Sequence, residues 1–266
     1  MFVWVTYAAA AVLVVLASTA LFFFTLTRGA LIMRTALGRR QHETAHVYPI
    51  YSNLRLIRLV DWQPVIAAIL LFQYSRLVSI ITHGLQHSAL QGRQVLITSC
   101  AFGNVMPRVV KAAIKAGAAR VLVADIIQNE LDHARCKLHE HADQVCFVQD
   151  NAVAMQQADA SVDANVIFFL LHELPHHLKG LALCEAVRVL APGGRLYLAE
   201  FHRPRPWLLR GLSWTYFKVF EPYGLALWNT HDPVLQLAAM PGVHCERHVV
   251  CFGNFQVIVA TKAALP

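Results

Sequence analysis

Residues 120–125 read Arg-Val-Leu-Val-Ala-Asp (RVLVAD). An unbroken apolar run between a charged start and a terminal carboxylate is the pattern of a strand covered on both faces, as in a parallel sheet, rather than of a half-exposed strand, which alternates. Working outward, Val105–Lys115 has helical spacing, with Val109, Ala113 and Ala116 on one face and Gly117 placed to cap its end. Before it, Gln94–Ser99 is a short β-rich run. After Asp125 come a charged helix over about Gln128–His139, a third strand at Gln144–Gln149 and a fourth at Asn165–Leu171 (NVIFFLL). A helix over His177–Leu190 follows, and Pro192-Gly193-Gly194 turns the chain into a fifth strand, Arg195–Glu200. Strands alternating with helices imply βαβ units, a parallel sheet and right-handed crossovers.

The end of the chain breaks that rhythm. Arg247–Phe252 and Phe255–Thr261 are apolar runs on either side of Gly253-Asn254, a pair suited to a tight hairpin. The expected fold class is therefore α/β, Rossmann-like, with a mostly parallel sheet closed by an antiparallel C-terminal hairpin. Between the fifth strand and the hairpin, residues 201–235 form an insertion carrying Trp207, Trp214, Tyr216, Phe217, Phe220, Tyr223 and Trp228. It follows the carboxyl end of a strand, the side on which open α/β sheets bind ligands.

Residues 1–27 contain no charged side chain. A helix of that length reaches about 40 Å, enough to cross a bilayer core. The basic n-region of a cleaved signal peptide is missing. Arg28, Arg34, Arg39 and Arg40 follow, and the positive-inside rule holds that side in the cytoplasm. The expectation is a transmembrane anchor over 1–27 in the inner (cytoplasmic) membrane, a basic linker and helical cap over 28–90, and a cytoplasmic catalytic domain over 91–266; a buried N-terminal helix is the alternative for the first segment. The chain is 56% hydrophobic and 15% charged with a net charge of +7, which fits anionic lipid headgroups. Its basic residues are dispersed rather than clustered with aromatics, which speaks against nucleic acid. Cys100, Cys136, Cys146, Cys184, Cys245 and Cys251 form no CxxC pair and read as buried thiols in a reducing compartment.

Several residues could carry chemistry. The first strand runs into Ser99-Cys100-Ala101-Phe102-Gly103-Asn104, a turn with a single glycine where close backbone approach to a nucleotide usually calls for several; on its own it is no more than a βα turn. Asp125 ends the second strand about twenty residues beyond Gly103, where a carboxylate can accept both hydroxyl hydrogens of a ribose; a solvent-exposed helix cap is the plainer reading. Ile126 follows it, and Asp150 and Asn151 stand just past the third strand, where an adenine amino group would lie. His172 and Glu173 sit at the mouth of the fourth strand as acid/base groups, as oxygen and nitrogen ligands for a metal, or as a hydrogen-bonded pair shaping the loop. His172 to His176 matches a zinc-protease HExxH pattern, but Pro175 disfavours the single helix that pattern needs. His202 and Arg203, after the fifth strand, could meet a polar ring or a headgroup, or anchor the insertion; Glu221 and His231 are weaker candidates of the same kind.

With these residues in view, the chain resembles the class I S-adenosylmethionine (SAM)-dependent methyltransferases. Within them it resembles the ubiquinone/menaquinone C-methyltransferase neighbourhood, and more closely the RquA-type rhodoquinone biosynthesis proteins. The segments that carry this are TSCAFGNVMPR in the first loop, FFLLHELP after the fourth strand, VLAPGGRLYLAE through the fifth, AEFHRPRPW after it and FEPYGLALW in the insertion. The resemblance implies a SAM-dependent transferase that exchanges a ring methoxy group of ubiquinone for an amino group, with SAM as amino donor and manganese required. By position, Ser99, Cys100, Gly103, Asp125, Ile126, Asp150 and Asn151 would face SAM, and His172, Glu173, His202 and Arg203 the quinone, with His172 and Glu173 the nearest to manganese ligands. The implied partners are a polyprenyl quinone and the lipid bilayer. An ordinary SAM-dependent methyltransferase of a quinone or other lipid, and a non-catalytic SAM-fold subunit of a quinone-biosynthesis complex, are the alternatives.

Overall fold

The computed structural model describes residue 51, residues 53–219 and 221–264, and scattered helical positions between 6 and 21. Seven strands form one sheet: β1 Gln94–Thr98, β2 Arg120–Asp125, β3 Val145–Gln149, β4 Val162–Phe168, β5 Leu190–Phe201, β6 Val243–Val250 and β7 Phe255–Lys262, in the order β3-β2-β1-β4-β5-β7-β6. The first five run parallel, and β7 lies antiparallel between β5 and β6. Strand order reverses between β1 and β4, which opens a crevice beyond their carboxyl ends.

The buried runs explain the strands. In β2, Val121 to Asp125 are all buried, and β1 and β4 are nearly as covered. Helices take both faces. On one side lie α1 (Leu54–Val60), α2 (Gln63–Ile69), α3 (Tyr74–Gln86), α4 (Val105–Lys115) and α5 (Gln128–Lys137). On the other lies α6 (His176–Arg188). α7 (Trp207–Val219), a 3₁₀ stretch over Pro222–Trp228 and α8 (Pro233–Ala238) fill the expected insertion. In α3 the buried residues Tyr74, Leu77, Val78, Ile81 and Leu85 recur at helical spacing, a stripe that fastens the cap to the sheet.

One carboxylate fixes the cap in place. Asp61, at the end of α1, accepts hydrogen bonds from His133 Nε2 at 2.6 Å, from Lys137 Nζ at 2.7 Å and from the Gly103 amide. Burial opposes its charge, but the His133 hydrogen bond and Lys137 outweigh that and hold it below the usual carboxylate range. Gly103 has φ +77°, and a Cβ there would stand 2.6 Å from Tyr74 Oη. Gly103→Ala is therefore expected to destabilise the fold by about 1–3 kcal/mol, read as a lower urea midpoint with an unchanged slope.

Four expectations need correction. β4 starts three residues earlier than Asn165 and ends at Phe168, because Phe169 turns to φ 56°. Pro192-Gly193-Gly194 lies inside β5 as an irregularity in its pairing with β4 rather than before the strand. The hairpin turn is wider than Gly253-Asn254: Cys251, Phe252 and Gly253 all have positive φ, and β6 stops at Val250. The cysteines are all free thiols, but none is fully buried: Cys136 and Cys184 are exposed, and Cys100, Cys146, Cys245 and Cys251 are half-buried. The anchor expected over 1–27, and the linker up to residue 50, lie largely outside the described residues; among the described residues no helix is long and apolar enough to cross a membrane.

Candidate functional site

At the carboxyl ends of β1 to β4 a narrow cleft of about 80 Å³ brings together Ser99, Cys100, Asp125, Ile126, Asp150 and Asn151. Asp125, 6% exposed, accepts the Cys100 amide at 2.6 Å and the Ile127 amide at 2.8 Å. It thereby ties the first loop to the start of the α5 turn. Burial raises its pKa, and these amides pull the other way. Burial, followed by the Asp125 charge, raises the Cys100 thiol well above its ordinary value, so it stays protonated. Asp150 is pinned by the Asn151 amide at 2.8 Å and by the Gln156 amide at 3.1 Å. The loop geometry is held by a backbone outlier, Ser99 at φ 74°, the kind of strain that collects at binding sites.

A second, larger chamber of about 470 Å³ adjoins the cleft. Tyr51, Ser99, Cys100 and Glu173 line both. Its walls are apolar: Ile66, Ile69 and Leu70 from the cap, Phe168, Phe169 and Phe201 from the sheet, and Leu212, Tyr216 and Phe217 from α7. Phe169 meets Phe201 edge-on at 4.9 Å, and Phe201 meets Phe217 at the same distance. Its polar lining includes His172, Glu173 and Glu221, together with Ser213, which donates to Asn254 at 2.6 Å.

His172 and Glu173 point to different partners. His172 Nδ1 lies 3.1 Å from Glu200 Oε1, and its amide donates to Glu200 Oε2 at 3.2 Å. Burial opposes charging this imidazole, but Glu200, its hydrogen bond, and then Glu221 and Glu173 raise it to about 9. Glu173 accepts the Tyr51 hydroxyl at 3.1 Å. Burial raises its carboxyl, His172 opposes that, and Glu221 adds to it. A proton can therefore be held at Glu173, at the junction of the two spaces. Among the described residues no group of three or more His, Cys, Asp or Glu side chains is placed to hold a metal ion. His172 and Glu173 are therefore not joined there by a third such donor, and the expected manganese centre finds no support among the described residues.

Three expected site residues stand elsewhere. Gly103 turns its amide to Asp61 and packs against Tyr74, away from the cleft. His202 Nδ1 bonds the Gly253 carbonyl at 2.6 Å, and its Nε2 lies 3.3 Å from Arg247; it braces the β6–β7 turn. Arg203 is exposed and reaches Asn229 at 3.4 Å. Neither His202 nor Arg203 lines the chamber, because the chain leaves β5 outward at this point. His172 precedes α6, which begins at His176, so the HExxH pair shares no helix. The sequence reading missed Glu130, Glu200 as the partner of His172, and Tyr51 as part of the site. Glu130 had a signal: it lies four residues before Ala134, on the inward face of α5.

A mixed sheet in this order, with paired acidic residues after β2 and β3 and a cleft at the strand reversal, defines the class I SAM-dependent methyltransferase fold. The structure of an O-methyltransferase family protein from Burkholderia thailandensis matches it with a TM-score of 0.63 at 15% identity, over 93% of this chain and 71% of that one. A SAM-dependent methyltransferase from Aquifex aeolicus matches at TM-score 0.51 and 16% identity, over 79% of this chain and 99% of that one. Residues 64–232 match the ubiE/COQ5 methyltransferase family, and the chain belongs to it. The ubiquinone/menaquinone biosynthesis C-methyltransferase UbiE of Bartonella bacilliformis is 34% identical over 113 residues, 42% of this chain and 43% of that protein. A demethylmenaquinone methyltransferase of Clavibacter sepedonicus is 37% identical over 111 residues, 42% of this chain and 44% of that protein. The chain spans about half or less of the length of the curated relatives it matches.

Proposed function

We propose that this chain is a membrane-associated, SAM-dependent enzyme that modifies a polyprenyl quinone, converting ubiquinone to rhodoquinone with SAM as amino donor. The observation that carries the reading is the pairing of the two spaces: a small acidic cleft with residues suited to a nucleoside opens onto a large aromatic chamber. A quinone ring can stack on Phe169, Phe201 or Tyr216, and Glu173 stands where ring and cofactor would meet. Asp125 would hold the ribose hydroxyls, Asp150 the adenine edge, and Ser99 and Cys100 the amino-acid end. SAM, when bound, supplies the group transferred, a methyl in ordinary enzymes of this fold and an amino group in this reading. The chain's own residues bind, orient and exclude water, and Glu173 gives or takes a proton at its carboxyl. The altered first loop, with its single glycine turned to Asp61, supports a cofactor seated differently from that of a plain methyltransferase.

The surroundings of the chamber support a bilayer substrate. Leu71 and Leu212 line it and are also exposed. Beside them Phe72 and Trp207 are each 76% exposed, and Leu208 is exposed too. α7 is thus apolar on both faces, the mark of a helix that meets something other than water. Arg205 stands just before it and Arg210 and Lys218 lie along it, suited to anionic headgroups. With the uncharged run over 1–27 and the arginines after it, this supports a single N-terminal span in the inner membrane and a cytoplasmic catalytic domain.

The second reading is a C-methyltransferase of a quinone, favoured by the activities named for the relatives. Quinone mass spectrometry on a ubiquinone-making host expressing the full chain separates the two. A new aminoquinone is the expected result; a methylated quinone instead would overturn the amination reading and leave the quinone reading standing. No new quinone, with the protein in the membrane and binding SAM, would overturn both.

A further inference from the structure

Among the described residues, the lining of the cofactor cleft holds four acidic side chains, Asp125, Glu130, Asp150 and Glu173, and no lysine, arginine or histidine. Asp125 and Asp150 are satisfied by backbone amides and Glu173 by Tyr51. Glu130 is different. It is 3% exposed, and among the described residues its Oε1 has no hydrogen-bond partner. A buried carboxyl oxygen left bare costs about 1–3 kcal/mol, and Glu130 lines the cleft, where a bound ligand can complete it. A cationic ligand is the kind that such a cluster of carboxyls favours, because its charge lets them ionise.

Resting on the SAM reading above, we propose that Glu130 is a specificity-determining residue that pairs with a positive charge of the bound cofactor, making the cleft selective for the cationic form of the ligand. SAM carries two such charges, the sulfonium and the α-ammonium, and S-adenosylhomocysteine only the second. Adenosine carries none. In the empty cleft, burial, then Asp125, Asp61 and Glu173, push Glu130 up to about 9, with Lys137 working the other way. Near neutral pH the empty side chain therefore holds a proton, and arrival of a cation displaces it into solvent. Affinity for SAM then rises with pH toward 9, because less work is needed to ionise the partner.

Titration calorimetry on the full chain tests this, with SAM, S-adenosylhomocysteine and adenosine in two buffers of different ionisation enthalpy. Glu130→Gln keeps the shape and replaces a carboxyl that is neutral in the empty cleft with an amide that cannot ionise, so the fold is expected to hold, and unchanged adenosine binding checks that it does. The expected result is SAM affinity weaker by about tenfold or more with less proton release than in the unsubstituted chain. A loss confined to SAM assigns the sulfonium as the contact, and one shared with S-adenosylhomocysteine assigns the ammonium. Unchanged SAM affinity and unchanged proton release in Glu130→Gln would overturn the inference and leave the cofactor reading intact. An unsubstituted chain that binds adenosine but not SAM would overturn both.

Discussion

Asp125→Ala is expected to weaken SAM binding by at least about a hundredfold and to remove the quinone product with it. Two effects add. The first is loss of the carboxylate that would accept the ribose hydroxyls, each a charge-assisted hydrogen bond. The second is structural: both oxygens of Asp125 already hold amides, Cys100 on the first loop and Ile127 at the start of α5. Without them the loop that carries Ser99 at φ 74° loses its main tether. Asp125→Asn should recover little, because one of its two positions would set an NH₂ group against an amide N–H. Calorimetry with adenosine reads the first effect, since adenosine contains the ribose and little else that differs. Adenosine affinity equal to that of the unsubstituted chain would rule out the ribose role.

Glu200→Ala is the substitution expected to cost most in stability, about 3–5 kcal/mol. Glu200 is fully buried and accepts from the His172 amide, from His172 Nδ1 and from the Phe201 amide at 2.8 Å. Removing it leaves a buried imidazole and two buried amides without their acceptor. The effect also has a pH signature. The His172 pKa is raised from an ordinary 6.5 to about 9, so the folded state holds a proton that the unfolded state releases. The pair's contribution is fully present below about 6.5 and disappears as pH rises through about 9. Lys179, lowered to about 8 mainly by burial with Glu200 opposing, titrates nearby and is lowered further when Glu200 is removed, so it adds to the difference between the two urea-unfolding profiles in the same direction. That difference should shrink above pH 9; a gap constant with pH would mean that Glu200 acts through packing alone.

The fold was legible because burial leaves a period in the sequence. β2 matches its reading residue for residue, as does α4 over Val105–Lys115, since both faces of a parallel strand and one face of its helix must be apolar. Strand ends were less legible where the backbone leaves the allowed strand region for a local reason, as at Phe169 and Cys251. Of the candidate site, the residues fixed by topology came together: anything at the carboxyl end of β1, β2 or β3 lines the cleft. His202 and Arg203 did not follow, because nothing local tells which way a chain turns on leaving β5. The Gly103 amide bonds Asp61, forty-two residues away; contacts across such separations have no local period. The pairing of His172 with Glu200 is hidden for the same reason.

Among the described residues, Tyr51, Ser99, Cys100 and Glu173 alone belong to both spaces. Most of the cofactor cleft is drawn from strand ends that also hold the sheet together, whereas the outer wall of the chamber comes from α7, a segment packed on the sheet from one side. Heredity can therefore edit the two at different rates. On the proposed reading, changes along residues 207–217 would alter which ring is accepted and how it is approached, with the nucleoside grip untouched, so that a lineage could exchange its acceptor while keeping its donor.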